Sequence, residues 1–239
     1  SQFSMSHSTV SRNIGGGIFS NEGGLMILDS CIISENNLEI PAPGLAIGGI
    51  SLNTTDLIAR NCVIRGNNSE YGGAMSLGPG KIEIYDSYIY DNTGNAAGAI
   101  FSMGSDVTCI NTSIIDNLRI DRNPIGGGYV GIRESKVKFI NSIIWGNQQI
   151  PIATFMEDGQ EIPEIVIVAF SDVQGGIDSV GGDGEIIWLD GNIDADPLFA
   201  VMDDNGHSFM PDSPCIDAGT AFFVYEGDTL VNLAEDEYL

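Results

Sequence analysis

Apolar and polar positions recur along this chain in a fixed order, and the order is best read backwards from a repeated Asn. Segments SMSHSTVSRN, ILDSCIISEN, IARNCVIRGN, EIYDSYIYDN, TCINTSIIDN and KFINSIIWGN end at Asn13, Asn36, Asn67, Asn92, Asn117 and Asn147. A degenerate seventh, VAFSDVQGG, places Gly176 at the anchor, so the spacings are 23, 31, 25, 25, 30 and 29 residues. Three residues before each anchor stands a β-branched apolar residue (Val10, Ile33, Ile64, Ile89, Ile114, Ile144, Val173), and five before a small one (Ser8, Cys31, Cys62, Ser87, Thr112, Ser142, Ser171). Eight and ten before are apolar again, as in Ile82/Ile84 and Val137/Phe139. This period of two is the strand signature, broken once per unit by a polar residue such as Asn61, Asp86 or Asn111. Small pairs, Gly72-Gly73 and Gly127-Gly128 among them, open a further short strand about twenty residues before the anchor.

Each unit is therefore two or three short strands joined by turns, too small to bury an apolar face alone. Stacked about 4.8 Å apart, equivalent positions form continuous inward rows. The expected fold is all-β, a right-handed parallel β-helix of six to seven coils over residues 1–176, followed over 177–239 by an acidic coil or capping region continuous with the solenoid. An Asn stacked on the Asn of the next coil can bond through both its amide donor and its acceptor.

Composition narrows the function. The 239 residues carry 33 Asp and Glu against nine Lys and Arg, a net charge of −24. Phosphate contacts need cations, so nucleic acid is not an expected partner, and no apolar run approaches the ~18 residues of a membrane span. Charge shifts near Gly176: residues 177–239 hold 15 acidic residues and no Lys or Arg, while 1–176 hold 18 and nine.

These repeats resemble the right-handed parallel β-helix superfamily, which includes pectate-lyase-like proteins. GGAM with IYDN and GAIF with IIDN are similar to the GGA[ILV]…[FI]xxN repeats of polymorphic membrane proteins and other bacterial surface proteins. FSDVQGG, NIDADPLF and NGHSFMPDSPCIDAGT resemble the C-terminal region of secreted bacterial β-helix repeat proteins. The resemblance implies an extracellular or cell-surface location and a natural chain that runs on past Leu239. It points to architecture more than to activity, because one fold hosts many functions.

Candidate chemistry divides by residue type. A polysaccharide lyase needs a Lys or Arg base and acidic groups for Ca²⁺; Lys136 and Lys138, beside Arg133 and Glu134, are the only basic cluster. A glycoside hydrolase needs paired carboxylates, and Asp91 and Asp116 share the position before the anchor in consecutive coils. Asp194, Asp196 and Asp203, with Asp190, Asp204 and Asn205 nearby, form the one segment suited to Ca²⁺; no other cofactor is expected. Outward rows four and two before the anchor carry Ile32, Val63, Tyr88 and Ile143, then Tyr90, Ile115 and Trp145. Such a stripe signals a partner, a covering segment of the chain or self-association. Alternatively Tyr88, Tyr90 and Trp145 stack on sugar rings. Cys31 and Cys62 occupy equivalent inward positions in adjacent coils, as free thiols or a disulfide, and Cys109 reads as core. The leading expectation is a non-catalytic, adhesin- or stalk-like module that binds polysaccharide or a surface protein along its flank. The alternatives are a carbohydrate-active enzyme and a purely structural, self-assembling spacer.

Overall fold

The computed structural model describes residues 1–36, 48–120, 126–148, 150–203 and 206–232. Among them the chain passes repeatedly through three parallel sheets. Sheet A has eight strands, from Gln2–Ser6 to Glu185–Trp188; sheet B has seven, from Thr9–Ser11 to Asp172–Val173; sheet C has seven, from Ile18–Ser20 to Val180–Gly182. Every neighbouring pair in these sheets is parallel and one coil apart, as in Ile82 opposite Leu57 and Val107. The one helical element among the described residues is a 3₁₀ turn, Gly176–Ser179.

The inward rows are those the period of two predicts. Ile33, Ile64, Ile89, Ile114, Ile144 and Val173 are fully buried, as are Ile82, Ile84, Val137 and Phe139 on sheet A. Tyr129 and Phe139 meet edge to face inside the coil, with centroids 6.0 Å apart.

Two polar rows lie inside the same wall. The Asn92 amide donates to Asn117 Oδ1 (3.0 Å), Ile64 O and Tyr90 O (both 2.9 Å). Its own Oδ1 accepts from the Asn67 backbone N–H and Nδ2, each at 3.0 Å. The pattern repeats from Asn13 to Asn147. One turn earlier the small residues form a second row. The backbone N–H groups of Cys62, Thr112 and Ser142 donate to the hydroxyls of Ser87, Ser142 and Ser171, and each hydroxyl donates in turn to the carbonyl two residues before it. All four cysteines are free; Cys31 and Cys62 donate to Asp29 O and Arg60 O in the manner of the serines.

Corners between sheets A and B, and those after sheet B, take left-handed backbone. Ser30, Asn61, Asp86, Asn111 and Asn141 have φ of 47–53°, and Glu35, Gly66, Asp91, Asp116 and Gly146 have φ of 52–66°. Asn, Asp and Gly tolerate this region best, which accounts for the turn residues at these positions. At the entrance to sheet C the backbones nearly touch: a Cβ on Gly98 would lie 2.4 Å from Gly127 O and 2.7 Å from Leu118 N.

Coil stacking continues beyond residue 176. Val180–Gly182 pairs with Ile152–Thr154, Glu185–Trp188 pairs with Ile165–Val168, and Asn192 Oδ1 accepts from Ser171 N–H at 2.9 Å, closing the hydroxyl row. Only then does the chain turn back along the outside as two antiparallel hairpins, Phe199–Asp203 with Gly206–Phe209 and Phe222–Tyr225 with Asp228–Asn232.

Removing one interior rung should cost far more than removing an end rung. Asn92→Ala takes the acceptor from the Asn67 N–H and Nδ2 and the amide donor from Ile64 O and Tyr90 O in a dry interior, and should lower unfolding free energy by about 3–5 kcal/mol. Asn13→Ala, at the exposed first coil, should cost less than about 1 kcal/mol. Equal losses in urea unfolding would mean that the ladder is not what holds the coils in register.

Candidate functional site

The outer rows of sheets A and B are not bare. Val63, Tyr90 and Ile115 form a buried cluster with Phe199, and Tyr90 is only 5% exposed. The His207 ring sits among Tyr88, Tyr90 and Phe199, with centroids 5.1, 5.0 and 4.8 Å away. On sheet A, Ile110, Ile140 and Ala169 are buried with Val231 against Phe223 and Leu230 of the second hairpin. The apolar stripe is thus covered by the chain's own C-terminal segment. Tyr88, Tyr90 and Trp145 therefore do not form one exposed aromatic platform, and of the occupants the stripe allowed, a covering segment of the chain is present. Tyr90 faces the hairpin, Tyr88 is half-buried beside it, and half-buried Trp145 lies outside the cluster.

Between the hairpins, residues 209–221 cross the corner joining sheets A and B as a strap. The PDSPCIDAGT sequence supplies its fastenings. Asn141 and Thr220 make a reciprocal pair, Asn141 Nδ2 to Thr220 O and Thr220 N–H to Asn141 Oδ1, both 2.9 Å. Ser213 Oγ donates to Pro197 O and accepts from the Cys215 N–H. The Cys215 thiol donates to Asp172 Oδ2 at 3.2 Å, while Asp172 Oδ1 accepts from Ala195 N–H. Asp172 is only 3% exposed; burial first, and then the nearby Asp194 and Asp196, push its carboxyl above the usual carboxylate range. Burial, with Asp172 second, pushes the Cys215 thiol up to about 12. At neutral pH it is therefore a hydrogen-bond donor and not a nucleophile.

A cavity of about 450 Å³ remains under the strap. Its solenoid wall is Tyr88, Ser113, Ile143 and Asp172 with the corner amides of Asn111 and Asn141. The strap side is Phe209, Cys215, Asp217 and Thr220. The sequence offered one sign of it, the polar Ser113 and Asp172 in an otherwise apolar row; the roof residues carried none.

The basic cluster and the Asp91/Asp116 pair do not line this cavity and lie apart from each other. Lys138 Nζ is 2.7 Å from Asp106 Oδ1 on the outer face of sheet A, and Lys136 Nζ is 3.8 Å from Glu226 Oε2. Arg133 pairs with Glu157. Asp91 and Asp116 stack at the corner after sheet B, away from both lysines. Burial first, then Asp91, raises the Asp116 carboxyl, which packs against the Gly146 Cα. Glu35, at the same corner, is held by Arg12 at 2.6 Å and Arg65 at 3.5 Å.

Asp194 accepts from Gly175 N–H and Asp196 from Leu198 N–H, so each carboxylate caps a turn. The side chain of Asp203, and Asp204 and Asn205 altogether, lie outside the described residues. Among the described residues no group of three or more His, Cys, Asp or Glu side chains is placed to hold a metal ion.

The strap makes a local prediction. Cys215→Ala removes a donor to a buried carboxylate, worth about 1–3 kcal/mol, and should speed amide exchange across 211–221 by roughly ten- to a hundred-fold, while Cys215→Ser restores most of the protection. A thiol held protonated by the fold stabilises docking fully below its unfolded pKa, near 9, and that contribution disappears as pH rises through about 12. Alkaline loosening of 211–221 should therefore be absent from the serine variant. Exchange unchanged in Cys215→Ala would sink the fastening role.

No helix among the described residues is long and apolar enough to cross a membrane. No curated protein and no solved structure matches this chain. A family model described as the right handed beta helix region matches residues 1–187, the span in which sheets A, B and C form. With its stacked parallel sheets and paired inner ladders, the chain belongs to the right-handed β-helix family.

Proposed function

We propose that this protein is a non-catalytic, adhesin- or stalk-like module of the cell surface or extracellular space that binds a glycan or protein along its flank, with the cleft beneath the C-terminal strap as the binding place. The cavity carries this reading. At about 450 Å³ it falls within the roughly 300–1,000 Å³ typical of small-ligand sites. Its walls mix aromatic and aliphatic surface with hydroxyls, amides and carboxylates, the composition that suits a polar ring with one apolar face. The two outer aromatics, Tyr88 and Phe209, flank it from opposite sides. Of the basic cluster a lyase would use, Lys138 and Arg133 are held in close ion pairs with Asp106 and Glu157.

A second reading, a glycoside hydrolase, draws on one observation: Asp116 titrates high beside Asp91, as a general acid next to a second carboxylate does. Both residues also have the left-handed backbone that the corner demands, which favours Asp there without chemistry.

Neutral, acidic and amine-bearing polysaccharides incubated with the protein, with calcium and then with chelator, should release no unsaturated or reducing ends. At least one should be retained on the immobilised protein, and retention should fall about ten-fold or more in Tyr88→Ala. Product release that vanishes in Asp91→Asn/Asp116→Asn would replace this reading with the hydrolase. No release and no retention would leave the spacer.

A further inference from the structure

The cleft wall has a charge character that goes further than its shape. Two of the residues that line it are acidic, Asp172 and Asp217, and none is Lys or Arg. Asp172 sits at the bottom, 3% exposed, while Asp217 stands at the exposed rim in left-handed backbone (φ 59°). Two further carboxylates, Asp194 and Asp196, lie close enough to Asp172 to disfavour its charge. No ion pair of the described residues offsets Asp172 or Asp217. The Asp172 oxygens accept only one thiol and one backbone N–H between them, and a carboxylate has room for about four donors.

The apolar part of the wall includes three aromatic side chains, Tyr88, Phe170 and Phe209, beside the aliphatic Ile143 and Ile193. The π-faces of such rings attract cations as well as apolar ring surface. Such a site repels uronates, sulfated sugars and phosphates. For a neutral sugar it offers hydrogen bonds but leaves its carboxylates uncompensated. A protonated amine corrects that imbalance, and the amides of Asn111 and Asn141 with the hydroxyls of Ser113 and Thr220 supply partners for a hydroxylated body around it.

Resting on the reading of the cleft as a glycan site, we propose that its ligand is an amino sugar with a free, protonated amine, the ammonium directed to Asp172 and Asp217 and the ring laid against Tyr88. The chemistry excludes the N-acetylated form, because acetylation removes the charge and adds bulk where the carboxylates need a cation. It also makes binding electrostatic in part, so affinity falls as salt screens the rim carboxylate.

Titration calorimetry with a glucosamine trimer, an N-acetylglucosamine trimer, a neutral glucose trimer and a trilysine peptide tests this on the full chain. The glucosamine trimer should bind at least ten-fold more tightly than either uncharged trimer, and more weakly as salt rises from about 20 to 300 mM. Asp217→Asn keeps a residue tolerant of the left-handed backbone and lies at the exposed rim, so it should fold normally, checked by its unfolding midpoint, and lose roughly ten-fold in affinity for the glucosamine trimer. Equal binding of the acetylated or neutral trimer would overturn the amino-sugar inference and leave the glycan site standing. Tighter binding of trilysine than of the glucosamine trimer would overturn it in favour of a basic protein segment. Glucosamine binding untouched in both Asp217→Asn and Tyr88→Ala would place the ligand elsewhere, and no binding of any probe would remove the cleft reading as well.

Discussion

Parallel stacking in register places each side chain directly above its equivalent, about 4.8 Å away, and this one constraint governs the rest of the molecule. A buried polar row survives it only if each member both donates and accepts along the axis. An amide does so through Nδ2 and Oδ1, as from Asn36 to Asn147, and a hydroxyl does so by accepting an N–H and donating to a carbonyl, as at Ser87, Ser142 and Ser171. A carboxylate cannot, since two stacked acceptors repel. Asp and Glu are accordingly absent from both inner rows of the solenoid, although this is an acidic protein.

The same constraint sorts residues at the corners. The chain must turn sharply twice around each ladder, and left-handed backbone at those two points selects Asn, Asp, Ser and Gly. This explains residues that otherwise look like chemistry. Asp91 and Asp116 form a pair because consecutive coils need the same turn at the same place, and the influence of Asp91 on the Asp116 carboxyl follows from the stacking. Asn111 and Asn141, equivalent members of the other corner, became part of the candidate site only because the strap crosses above them.

The solenoid was legible in the sequence because its information is local and repeated. Anchor, β-branched and small positions at fixed offsets named the inward rows, the ladder and the parallel topology. A cover for the outer rows was one of the meanings of the apolar stripe, but which segment supplies it was not legible. Pairings such as Asn141 with Thr220, 79 residues apart, occur once, and nothing periodic announces them. The PDSPCIDAGT segment stood out as a resemblance, yet its role as a fastening depends on which corner it meets. The charge shift near Gly176 marks a change of composition, while strand pairing, which is indifferent to charge on outward positions, continues through Trp188.

The charge distribution then explains how the C-terminal segment is held. Residues 177–239 have no Lys or Arg, and the hairpins and strap within them lie along a solenoid that is itself net acidic, so long-range electrostatics oppose docking. The ion pair that Lys136 makes with Glu226 is long, at 3.8 Å, and exposed on the glutamate side, so it contributes little. Cohesion therefore falls to burial of Val231, Phe223 and Phe199 against sheets A and B and to uncharged donors at the fastenings, a thiol and an amide pair. An acidic strap laid on an acidic wall encloses a space whose carboxylates have no internal cation to meet. That is why the cleft is both a consequence of how the tail docks and the place where a positively charged ligand would lower the free energy of the docked state.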